Sequence, residues 1–251
     1  MLTEERHEII LKYLQEHKRA TVAELNSILN TSESTVRRDL AALHREGKLT
    51  KVHGGATMVE NSYVTWEDDV STRSDMYITE KTTIARRAAQ IIQPNDFVYI
   101  DAGTTTAQML DFIQEKNATY VTNGISHAVK LLSRGFTAYI IGGRLKGVTE
   151  AVTGTEAIRS LTDYNFTKGF FGTNGISTSA GFTTAEFGEA NVKREAMRHC
   201  REAFVLADSS KFNKIFPVTF SMLDKATILT DKLQDIEYIK YTKVIEVNEA
   251  L

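Results

Sequence analysis

Apolar, strand-like runs that end in polar or glycine-rich turns recur along this chain from about residue 96 onward. The turns occupy residues 101–106, 122–124, 142–143, 172–175 and 208–211. Segments with the apolar spacing of helices occupy residues 79–92, 104–115, 125–133 and 184–200. Parallel strands need a long crossover connection, which is usually a helix. This alternation therefore predicts an α/β domain with a largely parallel sheet.

The polar turns are the predicted ligand site of that domain, because strand carboxyl ends border the ligand crevice in such sheets. Backbone N–H groups and hydroxyls at the helix start Thr104–Thr106 can bind an anion, Lys211 can neutralise a phosphate, and Asp101 can accept from sugar hydroxyls. The predicted ligand-binding residues are Asp101, Gly103, Thr104, Thr105, Thr106, Asn123, Gly124, Gly175, Glu186 and Lys211. The alternative is that each cluster is an ordinary strand-to-helix turn, which also needs glycine and capping residues.

Composition excludes several other classes of protein. The single cysteine, Cys200, rules out an intramolecular disulfide and fits a reducing, cytoplasmic location. The first residues lack the pattern of a signal peptide, and no apolar run approaches the roughly 20 residues of a membrane span. The histidines lack metal-ligand spacing and no phosphate-loop motif is complete, so neither a metal nor a cofactor is expected. With a net charge of −2, any nucleic-acid site must be a local feature.

The first 57 residues predict a helix-turn-helix. Thr21 and Glu24 have the spacing of a capping box, which opens a short helix with Leu25, Ile28 and Leu29 directed inward. A tight turn follows, and Ser32 can cap the next helix. Two short helices joined by such a turn are typical of this motif.

The helix after the turn carries a cationic face. At 100° per residue, Val36, Leu40 and Leu43 form a buried stripe. The opposite face carries Ser34, Arg38, Ala41 and Arg45, with Arg37 on its shoulder. Such a face suits a DNA major groove, where arginine can pair with guanine or bind phosphate. The alternative is a solvated helix in which Glu33 pairs with Arg37.

The segment after this helix predicts a small basic hairpin. Residues 46–56, "EGKLTKVHGGA", contain a helix stop at Gly47, a short strand-like run and a glycine turn. A helix-turn-helix followed by such a hairpin is a winged helix, whose wing contacts phosphates. The residues predicted to bind DNA are Ser34, Thr35, Arg37, Arg38, Arg45, Lys51 and His53.

Motifs in both halves of the sequence resemble those of a known family. The stretch "STVRRDLAALHREGKLTKVHGGA" is similar to the signature of the DeoR family of bacterial transcription regulators. The motifs "EKTTIARRAAQII", "DAGTTT", "VTNG", "IGG", "GTNGIS" and "DSSKF" are similar to the sensor domain of that family. The resemblance implies a C-terminal α/β sensor domain with a fold like ribose-5-phosphate isomerase, a double-stranded DNA operator and a phosphorylated-sugar effector. Within the family the chain resembles the Gram-positive fructose-operon repressors, which implies fructose 1-phosphate.

The predicted organisation is a winged helix-turn-helix at residues 1–57, an acidic linker at 58–78 and a sensor domain at 79–251. One winged helix reads few base pairs, so a homodimer or larger homo-oligomer is expected. The rival class is a sugar-phosphate isomerase, with Asp101 or Glu186 as base and Lys193 or Lys211 as electrophilic helper. A regulator that is not an enzyme is preferred, because a fused DNA module has no use in a simple isomerase. A third alternative is an architectural DNA-binding protein with an inert second domain.

Overall fold

The protein folds into two compact units, residues 1–62 and 63–251. The computed structural model describes residues 2–45, 48–58, 62–65, 67, 69–147 and 149–247. The domain boundaries predicted at residues 57 and 78 stay predictions. The helix stop predicted at Gly47 lies outside the described residues.

The first unit consists of helices packed against a small antiparallel sheet. Its elements are α1 (Thr3–His17), β1 (Arg19–Thr21), α2 (Val22–Leu29), α3 (Glu33–Arg45), β2 (Leu49–Val52) and β3 (Gly55–Met58). The strand order is β1-β3-β2. Helix α2 begins with the predicted capping box: the Thr21 N–H donates to Glu24 Oε2 at 2.7 Å, and the Glu24 N–H donates to Thr21 Oγ1 at 3.2 Å.

The core of this unit contains the predicted stripe of α3, because Val36, Leu40 and Leu43 are fully buried. The inward direction predicted for Ile28 is wrong, since this side chain is 42% exposed. The buried stripe of α2 is formed by Val22, Leu25 and Leu29. At 100° per residue, Ile28 lies on the margin of that stripe.

The hairpin β2–β3 confirms the predicted wing, and its two glycines have different roles. Gly54 has a φ of +79°, in the left-handed region that favours glycine. Gly55 pairs with Thr21 of β1, and a Cβ at this position would lie 2.1 Å from the Ala20 carbonyl oxygen. Glycine is therefore required for strand β1 to approach the wing closely.

The second unit is an α/β domain. Strand β4 (Ser62–Tyr63) spans the boundary between the two units, and the helices are α4 (Val70–Asp75), α5 (Ile78–Ala89), α6 (Thr104–Phe112), α7 (Ile125–Ser133), α8 (Thr155–Leu161) and α9 (Phe187–Arg198). The other strands are β5 (Phe97–Ile100), β6 (Thr119–Thr122), β7 (Thr137–Ile140), β8 (Arg144–Lys146), β9 (Ala151–Thr153), β10 (Phe166–Gly172), β11 (Gly175–Ser177), β12 (Gly181–Thr184), β13 (Cys200–Leu206), β14 (Lys214–Ile215), β15 (Val218–Ser221), β16 (Thr227–Thr230) and β17 (Val244–Glu246). Short 3-10 turns span Ser209–Lys211, Leu223–Lys225 and Ile236–Lys240.

The described residues form a seven-stranded sheet in the order β17-β16-β13-β10-β5-β6-β7. Every neighbouring pair in this sheet is parallel, which confirms the predicted architecture. Alternate residues of each strand bury opposite faces, so Val98 and Ile100 pack with α5, α6 and α7, whereas Tyr99 packs with α8 and α9. From β5 the chain adds β6 and β7 on one side, and β10 lies on the other side. The order of the strands therefore reverses between β5 and β10, the position where such sheets bind ligands.

The segment before α5 is not an unstructured connector. Helix α4 lies within the predicted linker and is capped by Asp69, whose side chain accepts from the Thr72 N–H at 2.7 Å. The Val64 N–H donates to the Ile215 carbonyl oxygen at 2.9 Å. The start of α4 and Val64 before it therefore have defined hydrogen bonds.

Candidate functional site

The outward face of α3 is the candidate DNA interface. Ser34, Arg37, Arg38 and Arg45 are all exposed, opposite the buried Val36, Leu40 and Leu43. Thr35 is half-buried, and its hydroxyl lies 2.9 Å from Ser32 Oγ at the start of the helix. On the wing, Lys51 and His53 are exposed. The structure therefore places the exposed predicted DNA contacts on one helix face and one hairpin of the first unit.

The two adjacent arginines differ in their partners. Arg37 Nη2 lies 3.2 Å from Glu33 Oε2, an exposed pair at i,i+4 spacing. This pair is the one that the solvated-helix alternative invoked. Arg38 has no hydrogen-bond or ion-pair partner among the residues that the structure describes. Arg38 is therefore the cation on this face that can bind DNA without exchanging a protein partner.

Asp39, next to these arginines, is a structural residue that the sequence reasoning missed. It is buried and accepts from Arg6 Nε of α1 at 2.7 Å, and its other oxygen lies 3.4 Å from His7 Nε2. Burial alone would raise the pKa of Asp39, but the Arg6 guanidinium outweighs it and holds this pKa below its ordinary value. The signal in the sequence was an acid on the Val36–Leu40–Leu43 face. Asp39 joins α1 to α3, the candidate recognition helix.

The second candidate site is a cavity of about 230 Å³ in the second unit. It lies at the carboxyl ends of β5 and β10, where the strand order reverses, and α4, α5 and α6 contribute to its walls. Its polar lining consists of Arg73, Ser74, Lys81, Thr104, Thr105, Ser126, His127, Thr149, Thr173, Asn174, Glu189, Lys193 and Lys211.

One part of the cavity is suited to an anion. The lining includes the first residues of α6, whose N-cap is Gly103 and has no side-chain hydrogen bond. The first N–H groups of a helix have no intrahelical acceptor and lie at its positive end. Lys211 also lines the cavity, and its Nζ lies 3.9 Å from Asp208 Oδ2. Lys81 is buried, and this burial lowers the pKa of its ammonium group.

Beneath the cavity a buried ion pair joins the ends of two strands. Lys193 Nζ donates to Asp101 Oδ2 and, at 3.1 Å, to the Gly172 carbonyl oxygen. The Gly172 N–H donates to the same Asp101 oxygen at 3.0 Å. Burial raises the pKa of Asp101, and the Lys193 ammonium opposes that rise. The contacts of Asp101 thus connect β5, β10 and α9, and only Lys193 of the ion pair lines the cavity.

A neutral histidine supports the helix starts beside the cavity. His127 is buried, and burial lowers its pKa to about 4. Its Nε2 lies 3.2 Å from Thr106 Oγ1. The Thr106 hydroxyl is also 2.6 Å from the Asp101 carbonyl oxygen, so it fixes the first turn of α6 to the end of β5. Thr106 therefore acts from beneath the cavity.

Glu189 supplies the cavity with an acceptor. Its Oε1 accepts from Lys146 Nζ at 2.9 Å and from Thr149 Oγ1 at 3.1 Å. Burial opposes the ionisation of Glu189, but the charge of Lys193 and the bond from Lys146 hold its pKa below the ordinary value. The cavity therefore combines cations, a helix start and one carboxylate, a mixture that suits an anionic ligand with hydroxyl groups.

Two family models match the chain. The model described as "DeoR-like helix-turn-helix domain" matches residues 6–62, and the model described as "DeoR C terminal sensor domain" matches residues 77–232. The chain belongs to the DeoR family. It is a DNA-binding transcriptional regulator with an N-terminal winged helix and a C-terminal α/β sensor domain.

Curated relatives agree with the DeoR assignment over nearly the whole chain. The "Uncharacterized HTH-type transcriptional regulator FruR" of Bacillus subtilis is 38% identical over 96% of each chain. The regulator IolR of the same organism is 33% identical over 92% of each chain. A "Lactose phosphotransferase system repressor" of Staphylococcus epidermidis is 33% identical over 88% of this chain and 89% of that one.

Solved structures of other proteins overlap part of this DeoR-family chain. Ribose 5-phosphate isomerase A from Neisseria gonorrhoeae is 12% identical, covers 53% of this chain and 52% of its own, and has a TM-score of 0.39. The eIF2B delta subunit from Chaetomium thermophilum is 18% identical, covers 55% of this chain and 50% of its own, and has a TM-score of 0.40. Likenesses this low carry no inference about activity. Within the described part of the chain, no helix is long and apolar enough to cross a membrane.

Within the DeoR sensor domain, the predicted ligand residues divide into two groups. Gly103, Thr104, Thr105 and Lys211 line the cavity. The others are not among the residues that line it: Asp101, Thr106, Asn123, Gly124, Gly175 and Glu186. Asn123 Oδ1 accepts from the Ala102 N–H at 2.7 Å, and Glu186 caps α9 by accepting from the Glu189 N–H at 3.0 Å. Gly175 is packed so closely that a Cβ would lie 2.4 Å from the Lys214 carbonyl oxygen.

Several cavity residues lie outside the predicted turns, above all Arg73, Lys81 and Glu189. The sequence predicts a role for Lys193 only in the isomerase alternative, as an electrophilic helper. The sequence does contain a signal for Lys81 and Lys193, because each lies on the buried face of its helix. Lys81 shares its face with Ile84, Ala85 and Ala88 of α5, and Lys193 shares its face with Ala190, Ala196 and Met197 of α9. A lysine on an apolar stripe is rarely buried without a partner or a ligand.

Proposed function

We propose that this protein represses a sugar-utilisation operon and leaves its operator when a phosphorylated sugar binds in the cavity. The observation that carries the proposal is the set of groups lining one cavity: the start of α6, Lys81, Lys211 and Arg73 on the cationic side, and Glu189 for hydroxyls. The name of the Staphylococcus relative, a lactose phosphotransferase system repressor, supports the repressor and sugar parts of the proposal.

In this proposal the phosphate binds at the start of α6, near Thr104 and Thr105, with Lys211 and Lys81 as counter-charges. Charge-assisted hydrogen bonds from ammonium groups and backbone N–H groups are the strongest that a phosphate can accept. The sugar hydroxyls bind Asn174, Thr173 and Glu189, residues on the same cavity lining. The proposed effector is fructose 1-phosphate, on the resemblance to fructose-operon repressors.

On the DNA side, we assign base or phosphate contacts to Ser34, Arg37, Arg38 and Arg45 of the recognition helix. Thr35, Lys51 and His53 complete the proposed interface. Because a single winged helix reads few base pairs, the proposal includes a homo-oligomer on repeated half-sites. Sedimentation of the full-length protein tests this part: a monomer at micromolar concentration with tight operator binding would contradict it.

The decisive experiment measures operator affinity with and without fructose 1-phosphate and a panel of other sugar phosphates. A coupling of 1–3 kcal/mol, the usual range for allosteric proteins, weakens DNA binding by about 5–150-fold. Lys211→Ala is expected to bind operator normally but to lose this response. The matched control is Lys225→Ala, which removes an exposed lysine from another 3-10 turn that does not line the cavity. If no sugar phosphate shifts the wild type, the proposed function fails.

The same panel tests the enzyme alternative. Of the two carboxylates considered as a base, Asp101 is buried against Lys193 and Glu186 caps α9. The proposal therefore expects binding without turnover. Multiple turnovers of any pentose or hexose phosphate by the purified protein would contradict it.

A further inference from the structure

Glu67 holds the segment before α5 against the cavity wall. Its Oε1 forms an ion pair with Arg73 Nη1 of α4 at 2.7 Å and accepts a hydrogen bond from Asn174 Nδ2, also at 2.7 Å. Asn174 is itself fixed by Thr184, whose buried hydroxyl donates to Asn174 Oδ1 at 2.8 Å. Arg73 and Asn174 both line the cavity. A single carboxylate oxygen thus joins α4 to the wall of the proposed ligand site.

Arg73 is held a second time through its backbone. The buried Lys81 Nζ donates to the Arg73 carbonyl oxygen near the end of α4. Lys81 also lines the cavity. Two cations that hold α4 in place are therefore also cations that an anion in the cavity would attract.

Glu67 and a phosphate in the cavity would compete for the guanidinium group of Arg73. The Arg73 and Glu67 side chains are only 20% and 15% exposed, so their pair is shielded from solvent and contributes more than a surface pair. A phosphate offers Arg73 more charge and more acceptor oxygens than a carboxylate does, and guanidinium binds both in the same forked geometry. The Arg73 guanidinium cannot pair fully with the Glu67 carboxylate and with a phosphate in the cavity at the same time.

We propose that Glu67 is a resident competitor for Arg73, which an anionic ligand displaces, and that the displacement loosens α4 from the cavity wall. The inference rests on the proposed function, because it assigns the regulation of the same cavity. Glu67 and α4 follow the winged-helix unit, which ends at residue 62, directly in the sequence. In this proposal a change in their order passes to the DNA-binding unit along the chain, past Val64, which is hydrogen-bonded to Ile215. The acidic linker predicted at residues 58–78 then participates in ligand sensing.

The first test is Glu67→Gln in the full-length protein, with affinities for inorganic phosphate and for fructose 1-phosphate measured by calorimetry. Glutamine keeps an oxygen that can accept from both Arg73 and Asn174, so only the charge is removed. We expect roughly tenfold tighter binding, the size of one charge-assisted interaction. The matched control is Glu195→Gln on α9, which removes a carboxylate paired with Arg198 and His199 and should leave both affinities unchanged.

A double-mutant cycle separates competition from a general field effect. If Glu67 acts through Arg73, the gain from Glu67→Gln disappears in an Arg73→Gln background. If the gain persists there, the removed charge acts on the ligand directly and the proposal is overturned. Arg73→Gln alone is expected to weaken phosphate binding by roughly tenfold.

Hydrogen exchange gives the structural readout. Backbone amides of residues 69–75 are expected to exchange faster when ligand is bound to the wild type, and slower or unchanged exchange overturns the proposal. Failure of the proposed function is a separate result: ligand then binds and α4 loosens, yet operator affinity does not change. Absence of any binding of phosphate or sugar phosphate to the wild type overturns both.

Discussion

The recognition helix and the sensor cavity use charge in opposite ways. On α3, Arg38 and Arg45 are exposed, and the Arg37–Glu33 pair is open to solvent. Around the cavity the charges are buried and paired in advance, as in the Lys193–Asp101 pair. In the proposed DNA interface these cations are already hydrated, so DNA binding does not have to break a buried ion pair. In the proposed ligand site the charged side chains are already paired with other protein groups. Ligand binding must therefore replace some of these protein partners.

The difference predicts that a single cavity substitution costs far more stability than one on the recognition face. Lys193→Met leaves the carboxylate of Asp101 buried without its cation, which should lower the free energy of unfolding by about 3–5 kcal/mol. Urea denaturation of the full-length protein measures this loss. Lys225→Met, an exposed lysine, is the control and should change little. A loss below about 1 kcal/mol for Lys193→Met would show that water reaches Asp101.

The next largest effect is a pH dependence confined to the second unit. His127 has a pKa of about 4 when folded and about 6.5 when unfolded, so the unfolded chain binds its proton first. The contribution of neutral His127 to the free energy of unfolding is complete above pH 6.5. Roughly 3 kcal/mol of it is lost as the pH falls from about 6.5 to about 4. His127→Gln should therefore flatten the stability profile over this interval. Equal slopes for the two proteins in urea titrations from pH 7 to pH 4 would contradict the assignment.

On the recognition helix the expected effect is on DNA binding and not on stability. Arg38→Ala removes an exposed side chain without a described partner, so the unfolding free energy should change by less than about 0.5 kcal/mol. Operator binding should weaken by about 1–3 kcal/mol if Arg38 reads a base. If Arg38 instead binds a phosphate, the slope of the logarithm of the binding constant against the logarithm of the salt concentration should become shallower by about one. Operator titrations at several salt concentrations distinguish the two, and unchanged affinity and slope would remove Arg38 from the interface.

The smallest effect concerns the neighbouring Arg37. Glu33→Gln removes its exposed partner, which should change stability by no more than about 0.5 kcal/mol. Because an acid beside the DNA phosphates is also removed, operator affinity should rise slightly, with a larger gain at low salt. Weaker operator binding by this variant would mean that Glu33 positions Arg37 for DNA.

Much of this fold could be predicted from local patterns. The Thr21–Glu24 capping box and the stripe of Val36, Leu40 and Leu43 depend on residues within one or two turns of each other, and both were confirmed. The prediction for Ile28 failed because a residue at the margin of a stripe is buried only if a neighbouring element covers it. Asp39 was missed because its partner, Arg6, lies 33 residues away in the sequence.

The sequence by itself determined the alternation of strands and helices, the cationic face of α3 and the DeoR membership, because each is encoded in contiguous residues. Only the tertiary structure decided which polar residues share the cavity. Lys81, Lys193 and Lys211 come from three different elements, and parallel strand order brings them to one edge of the sheet. Tertiary packing also placed Asp101 beneath the cavity and Arg73 on its wall. Burial and distance between remote segments decide these roles, and neither quantity can be calculated from local spacing.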